Sequence, residues 1–468
     1  MNFLILDISL MVLFLIFVSL FLYRKKKEIK KEGVLWLYHT KWGVKIIKKF
    51  GEKNKKLLKI LSHVSVWLGY ALMAGMIWLF IKIVWIYIFN ADVVRAVKIP
   101  PIMPLIPYLP QVFKLDFLPP FYFTYWIVIL AVIAITHEFF HGIFAAANKV
   151  ETKTTGFGFF PFFFPIFLAA FVNLNNKIME KRSNFSQRAI LSAGTFANIL
   201  TAILGVLLLW GLFAAAYVPS GVVFDDYAYD IVNFDEIMSI DGIPFDASLD
   251  SSVKLQTNST NILTKDGTNY VAIKSVSAKD KILALYRDAA AINANLYGPI
   301  VEVNNQEITT MESFQYELGQ YSPGQTITLT TEIGGEETEY EITLGISPED
   351  NTKAWIGVVF FDTSPRGLVG KISSVTTLYK EAHVYYAPKM EWISFIYDLI
   401  WWLILISFSV ALVNMLPVGI FDGGRFFYLT VLAITKNEKV AEKSFKGITK
   451  VFLALLVLIM VFWVIGIL

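Results

Sequence analysis

The sequence predicts a polytopic α-helical membrane protein of six transmembrane helices, with a mixed α+β domain inserted between spans four and five. Three observations predict it. The chain of 468 residues is 56% hydrophobic and only 17% charged, with a mean hydropathy of +0.56, whereas a soluble domain carries about 25% charged residues. Six segments reach the roughly 20 apolar residues that cross a bilayer as a helix. Residues 218–365 break that pattern with polar residues and strand-like alternation, as in TITLTTEI and YEITLGI.

The six segments are 3–23, 64–89, 121–147, 189–217, 393–417 and 451–468. The first resembles a secretory leader, but its basic run follows the apolar stretch, so an uncleaved span is expected. Residues 155–172 (TGFGFFPFFFPIFLAAFV) are also apolar. Gly156, Gly158, Pro161 and Pro165 break them, and a re-entrant or membrane-edge hairpin is expected there. Such backbone is tolerated at depth only under protein or a wet cavity. Four regions follow: 1–120, two spans and a basic loop; 121–217, the third span, the hairpin and span four; 218–365, the inserted domain; and 366–468, spans five and six. Residues 366–392 are mixed and fit an interfacial segment.

Composition excludes disorder, a secreted disulfide scaffold and a nucleic-acid binder carried by bulk basic charge. There is no Cys, so thiolate nucleophiles and Cys-ligated metals are excluded as well. A metal site must use carboxylates and the five histidines, His39, His63, His137, His141 and His383. The net charge of +3 hides a separation. Residues 218–365 hold 23 Asp+Glu and 7 Lys+Arg, a net of −16, and the rest of the chain is +19. Loop 24–59 alone holds 14 Lys+Arg, and loops 148–188 and 434–450 are also basic. The Lys/Arg excess marks cytoplasmic loops. In a cell membrane, both termini and the acidic domain are then expected outside.

The third span reads HEFFH at 137–141. On a helix His137 and His141 are i and i+4, so both imidazoles share a face and can grip one metal ion. Glu138 stands beside them, placed to take a proton from an attacking water. An apolar helix would not carry three such residues cheaply, since a charge near the bilayer centre costs about 2.5–3.5 kcal/mol on insertion scales. Six residues, about 9 Å of helix, separate His141 from Ala147, which puts the site in the bilayer near its cytoplasmic side. Catalytic zinc commonly takes three protein ligands and keeps one position open. His39 and His63 sit by the basic loop and His383 on the outer side. The preferred third ligand is Asp422, in NMLPVGIFDGGR at 414–425. Pro417 breaks the helix there, and Gly423 and Gly424 permit close backbone approach.

These motifs resemble the site-2 protease family of intramembrane zinc metalloproteases. That family pairs HExxH on one transmembrane helix with NxxPxxxxDG on a later one, here Asn414, Pro417, Asp422 and Gly423. A Gly-xxx-Asn element between them is matched by Gly194 and Asn198, with Thr195 where the family often has Pro. The resemblance covers roughly 121–217 and 393–435. It implies one zinc ion per chain held by His137, His141 and Asp422, with Glu138 as the catalytic general base. It implies that Asn414 and Asn198 bind substrate, at its backbone or oxyanion. The substrate would be a transmembrane protein, cut inside the bilayer after its ectodomain has been trimmed. Residues 293–346 resemble part of a PDZ domain, a module that takes an extended peptide as an added strand. A weaker echo relates 235–245 to 298–308. This PDZ-like domain would recognise a peptide or exclude a bulky substrate ectodomain.

Two other readings use the same residues. A metal transporter would employ the His/Asp cluster, but it should show pseudo-repeats, and a Glu beside a ligand His suits hydrolysis better. A PDZ scaffold would leave the metal site vestigial, against an intact triad and Glu138.

Overall fold

The computed structural model describes residues 3–32, 35–90, 103–115, 117–159, 168–245, 261–277, 282–361 and 379–467. The chain divides into two compact units, residues 1–209 with 395–468, and residues 210–394.

Six helices of the described residues are long and apolar enough to cross a membrane. They are α1 (Phe3–Lys25), α3 (Lys55–Phe89), α4 (Phe123–Ala147), α5 (Asn184–Ala216), α6 (Trp392–Asn414) and α8 (Glu438–Ile467). The chain is a multi-pass membrane protein. Three of these helices begin before the apolar stretch does. Their leading turns (KKLLKI, NFSQRA, EKVAEKSFKG) carry Lys, Glu, Ala and Gln, good helix formers that extend the rod into polar surroundings. Large apolar side chains face outward on α1 and α8; Leu13, Phe17 and Val457 are more than 60% exposed. A helix apolar on all sides suits lipid on its outer face.

The described residues of the basic loop after α1 form regular elements. These are β1 (Ile29–Glu32), β2 (Leu35–Thr40) and the amphipathic α2 (Val44–Lys53). Ile47 and Gly51 are buried, while Lys45, Lys48 and Lys49 are exposed. The α2–α4 contact depends on two glycines. A Cβ on Gly142 would meet Ile47 at 2.7 Å, and one on Gly51 would meet the Ile143 carbonyl at 2.7 Å. Small residues allow this approach. The expected hairpin is also present as strands β3 (Thr152–Phe159) and β4 (Leu168–Leu174); its tip, 160–167, lies outside the described residues. The four strands form one antiparallel sheet in the order β1-β2-β3-β4. Among the described residues β4 is therefore an edge strand.

A second fixed point is Asp7 of α1, fully buried. Its carboxylate accepts from Tyr108 Oη (2.6 Å), from the Phe123 and Thr124 N–H groups (2.8 and 3.0 Å) and from Thr124 Oγ1. Those N–H groups belong to the first turn of α4, where a helix has donors without internal partners and a positive dipole end. A carboxylate on one helix thus caps the helix that carries HEFFH. One core cluster joins Ile47, Leu58, Ile143, Phe144, Ile190, Met415 and Phe426, drawn from α2 to α5 and the region after α6.

In the unit 210–394, two antiparallel sheets carry separate cores. One orders the strands at 229–233, 282–287, 269–277, 262–264, 237–240 and 243–244; the other orders those at 336–343, 326–333, 300–303, 217–222 and 384–388. Strand 300–303, helix Met311–Leu318 and hairpin 326–343 follow in the order expected from sequence. The echo between 235–245 and 298–308 corresponds to two like hairpins, one per sheet. Each turns on two residues of positive φ, Asp241 and Gly242 in one, Asn304 and Asn305 in the other, as tight hairpin turns require. The unit extends past 218–365, because strand 217–222 continues from α5 and pairs with 384–388. Of the segment 366–392, residues 366–378 lie outside the described residues.

Candidate active site

α4 places His137 and His141 one turn apart, with Nε2 atoms 3.0 Å from each other. The third group comes from α7 (Asp422–Thr435). α6 ends at Asn414, and Pro417 cannot continue it. The chain then folds back so closely that a Cβ on Gly423 would meet the Leu416 carbonyl oxygen at 2.6 Å and one on Gly424 would meet the Val418 carbonyl carbon at 2.7 Å. This turn starts α7 with Asp422 at the two histidines. Asp422 Oδ2 lies 3.2 Å from His141 Nε2 and 3.4 Å from His137 Nε2. Both histidines are 8% exposed.

The donor set fits a metal ion. A tetrahedral ion with ligands at about 2.0–2.1 Å holds neighbouring ligand atoms about 3.3 Å apart, and the three separations here are 3.0, 3.2 and 3.4 Å. Space is kept beside them by Gly194 of α5, where a Cβ would run into Nε2 of both His137 and His141. Each ring is also held from behind. His141 Nδ1 is 2.7 Å from the Ile190 carbonyl oxygen, and His137 Nδ1 is 3.1 Å from the Asn198 amide. Partners of this kind orient ligating imidazoles.

Glu138 points to the sheet. Its Oε2 accepts from the Val172 N–H of β4 at 2.7 Å. Triad, Glu138, residues 171–174 and Arg425 line one cavity of about 340 Å³. The edge strand therefore runs along the same cavity as the ligands.

His137, Glu138, His141, Asp422 and Asn198 thus come together. Asn414 is half-buried at the end of α6 and is not among the cavity-lining residues described. The other histidines are engaged elsewhere: His39 with Thr154 (3.0 Å), His63 against Phe185, and His383 with the Phe361 carbonyl (3.0 Å) and Asp225. Sequence reasoning missed the Val172 N–H and the Ile190 carbonyl, which are backbone groups. It also missed the clearance at Gly194, although that glycine belonged to a recognised motif, and the place of Arg425 in the cavity.

The profile of peptidase family M50 matches residues 125–459, most of the chain, from α4 through α7 and into α8. The chain belongs to peptidase family M50, the site-2 protease family. The resemblance drawn from the motifs is thereby established, and the chain is a site-2-type intramembrane metalloprotease. A comparison with curated proteins finds no match. In this M50 chain a second cavity, about 460 Å³, lies in the unit 210–394 among Asp225, Tyr227, Tyr297 and Glu332. The cavity of about 340 Å³ is the one with the chemistry: among the described residues it brings the His137, His141 and Asp422 ligand atoms together with the carboxylate of Glu138.

Proposed function

We propose that the protein is a zinc endopeptidase that hydrolyses peptide bonds within transmembrane segments of other proteins. The observation that carries this reading is the triangle of His137 Nε2, His141 Nε2 and Asp422 Oδ2 with Glu138 on the next residue. Bound there, zinc would polarise a carbonyl and lower the pKa of water toward about 7. His137, His141 and Asp422 would hold the ion. Glu138 takes the proton of the attacking water and passes it to the leaving amide nitrogen, so the peptide bond breaks into a carboxylate and an amine. Asn414 is the candidate for substrate backbone contact that the family motif supplies. Chelating the purified protein should abolish cleavage of a model transmembrane substrate, and zinc should restore it; cleavage that survives metal removal would contradict the reading.

A helical substrate must unwind before its bonds are exposed, and an unwound segment needs backbone partners. The edge of β4 supplies them. Alternation along a strand puts the backbone groups of Ala170, Val172 and Leu174 on the edge away from β3, and the Val172 N–H does face Glu138. Strand addition there would lay the substrate along the ligands. The Val172 N–H is taken up by Glu138, so the edge is tested one outward position away: Ala170→Pro removes that donor on an edge that otherwise tolerates proline. It should lower cleavage roughly 3- to 10-fold, the worth of one hydrogen bond, with zinc content unchanged. Wild-type cleavage by this variant would remove β4 from the mechanism.

The charge separation supports a topology with both termini and the acidic domain 218–365 outside and the basic loops in the cytoplasm. The strand, helix and hairpin order of 300–343 supports a PDZ-like reading of that domain, with a peptide or trimmed substrate end as its partner.

A further inference from the structure

Ile190, Gly194 and Asn198 lie at i, i+4 and i+8 on α5, one stripe of a single helix face. They meet His141, the space between the two rings, and His137 in that order. The Ile190 carbonyl can only accept a hydrogen bond, so it takes one from Nδ1–H of His141 and leaves Nε2 with its lone pair toward the triad.

At the other end the partner is an amide, and its two ends matter. Asn198 is fully buried. Its Nδ2 lies 3.1 Å from His137 Nδ1, while its Oδ1 is buried and has no partner among the described residues. An imidazole that offers Nε2 to a metal carries its proton on Nδ1, so donor would face donor. Turning the amide by half a revolution about Cβ–Cγ brings Oδ1 onto Nδ1–H and gives the orphaned oxygen its partner.

We infer that Asn198 is a positioning residue for the metal: its carbonyl oxygen holds Nδ1–H of His137, sets that ring's tautomer and aims Nε2 at the ion. α5 then serves both ligand histidines alike, through a backbone carbonyl at one and a side-chain carbonyl at the other, with Gly194 clearing the space between. This rests on the zinc reading proposed above and differs from a substrate-contact role for Asn198, which the family motif suggests.

Zinc affinity without substrate separates the two roles. The full-length protein in detergent is titrated against a competing chelator, as wild type, Asn198→Leu and Asn198→Asp. Loss of the acceptor in Asn198→Leu should weaken zinc binding about 10- to 100-fold, as for other partners of ligand histidines. Asn198→Asp keeps an acceptor and removes the donor, and should bind zinc within about threefold of wild type or more tightly. If Asn198→Leu fails to fold, Asn198→Asp still decides: a tenfold loss of zinc there would show that the amide acts as a donor and would overturn the inference. So would Asn198→Leu with wild-type zinc affinity and reduced cleavage, which would assign the residue to substrate. Wild type that takes up no zinc would instead overturn the metal reading itself, and this inference with it.

Discussion

Glu138→Gln should abolish measurable cleavage of a transmembrane substrate while leaving the zinc content of the purified protein at the wild-type level. The side chain keeps its length, and its amide oxygen can still accept from the Val172 N–H that Glu138 bonds at 2.7 Å. The neighbouring ligands are untouched, because Glu138 contributes no atom to the cluster of His137, His141 and Asp422. What is lost is the ability to take up a proton. Positioned general acids and bases contribute typically 10²–10⁴-fold, and no other carboxylate lines this cavity among the described residues except Asp422, which faces the histidines. Single-turnover cleavage measured beside metal analysis checks this. Cleavage by Glu138→Gln within tenfold of wild type would remove Glu138 from the role of base.

Gly194→Ala is the second large effect, and it acts in the opposite way, through the metal. The added methyl would point at Nε2 of both His137 and His141. Gly194 sits inside α5, which is tied to α3 by the buried hydrogen bond between the Ser65 and Ser192 hydroxyls (2.8 Å) and lies close to α3 at Gly69. Helix propensity favours Ala over Gly by about 1 kcal/mol, so the substitution should not unfold the helix. Overpacking costs about 1–3 kcal/mol, and at 1.4 kcal/mol per decade zinc affinity should fall roughly 10- to 100-fold, and cleavage with it. A chelator-competition titration checks this; wild-type affinity in Gly194→Ala would show that the space beside the histidines is not where the ion sits.

The parts legible in the sequence were those written in side-chain identity and short spacing. HEFFH on an apolar helix pointed to His137, Glu138 and His141 because i and i+4 fall on one face, and Asp422 was legible because an acidic residue after a helix-breaking Pro is conspicuous between apolar flanks. Gly194 and Asn198 were visible as a motif, but their shared stripe with Ile190 appears only once α5 lies against α4. Val172 and Ile190 act through backbone atoms, an N–H that any residue but proline could supply and a carbonyl that any residue could. Asp7 stood out little as one acid in the first span, since its partners Phe123 and Thr124 are more than a hundred residues away. β1, β2 and α2 were hidden in the basic loop, where lysines dominated the pattern and α2 buries just Ile47 and Gly51. The strand, helix and hairpin order of 300–343 was readable from alternation and turn residues. The pairing of 217–222 with 384–388 was not, because it joins segments from opposite ends of the inserted unit.

The central claim is that one zinc ion is held by His137, His141 and Asp422. X-ray absorption at the zinc edge, on detergent-purified wild type and Asp422→Ala, tests it most directly. The account predicts one zinc per wild-type chain with two imidazole nitrogens and oxygen ligands at about 2.0–2.2 Å, and loss of the bound zinc in Asp422→Ala. Zinc bound equally well by both proteins with an unchanged ligand shell, or no zinc in the wild type, would contradict it.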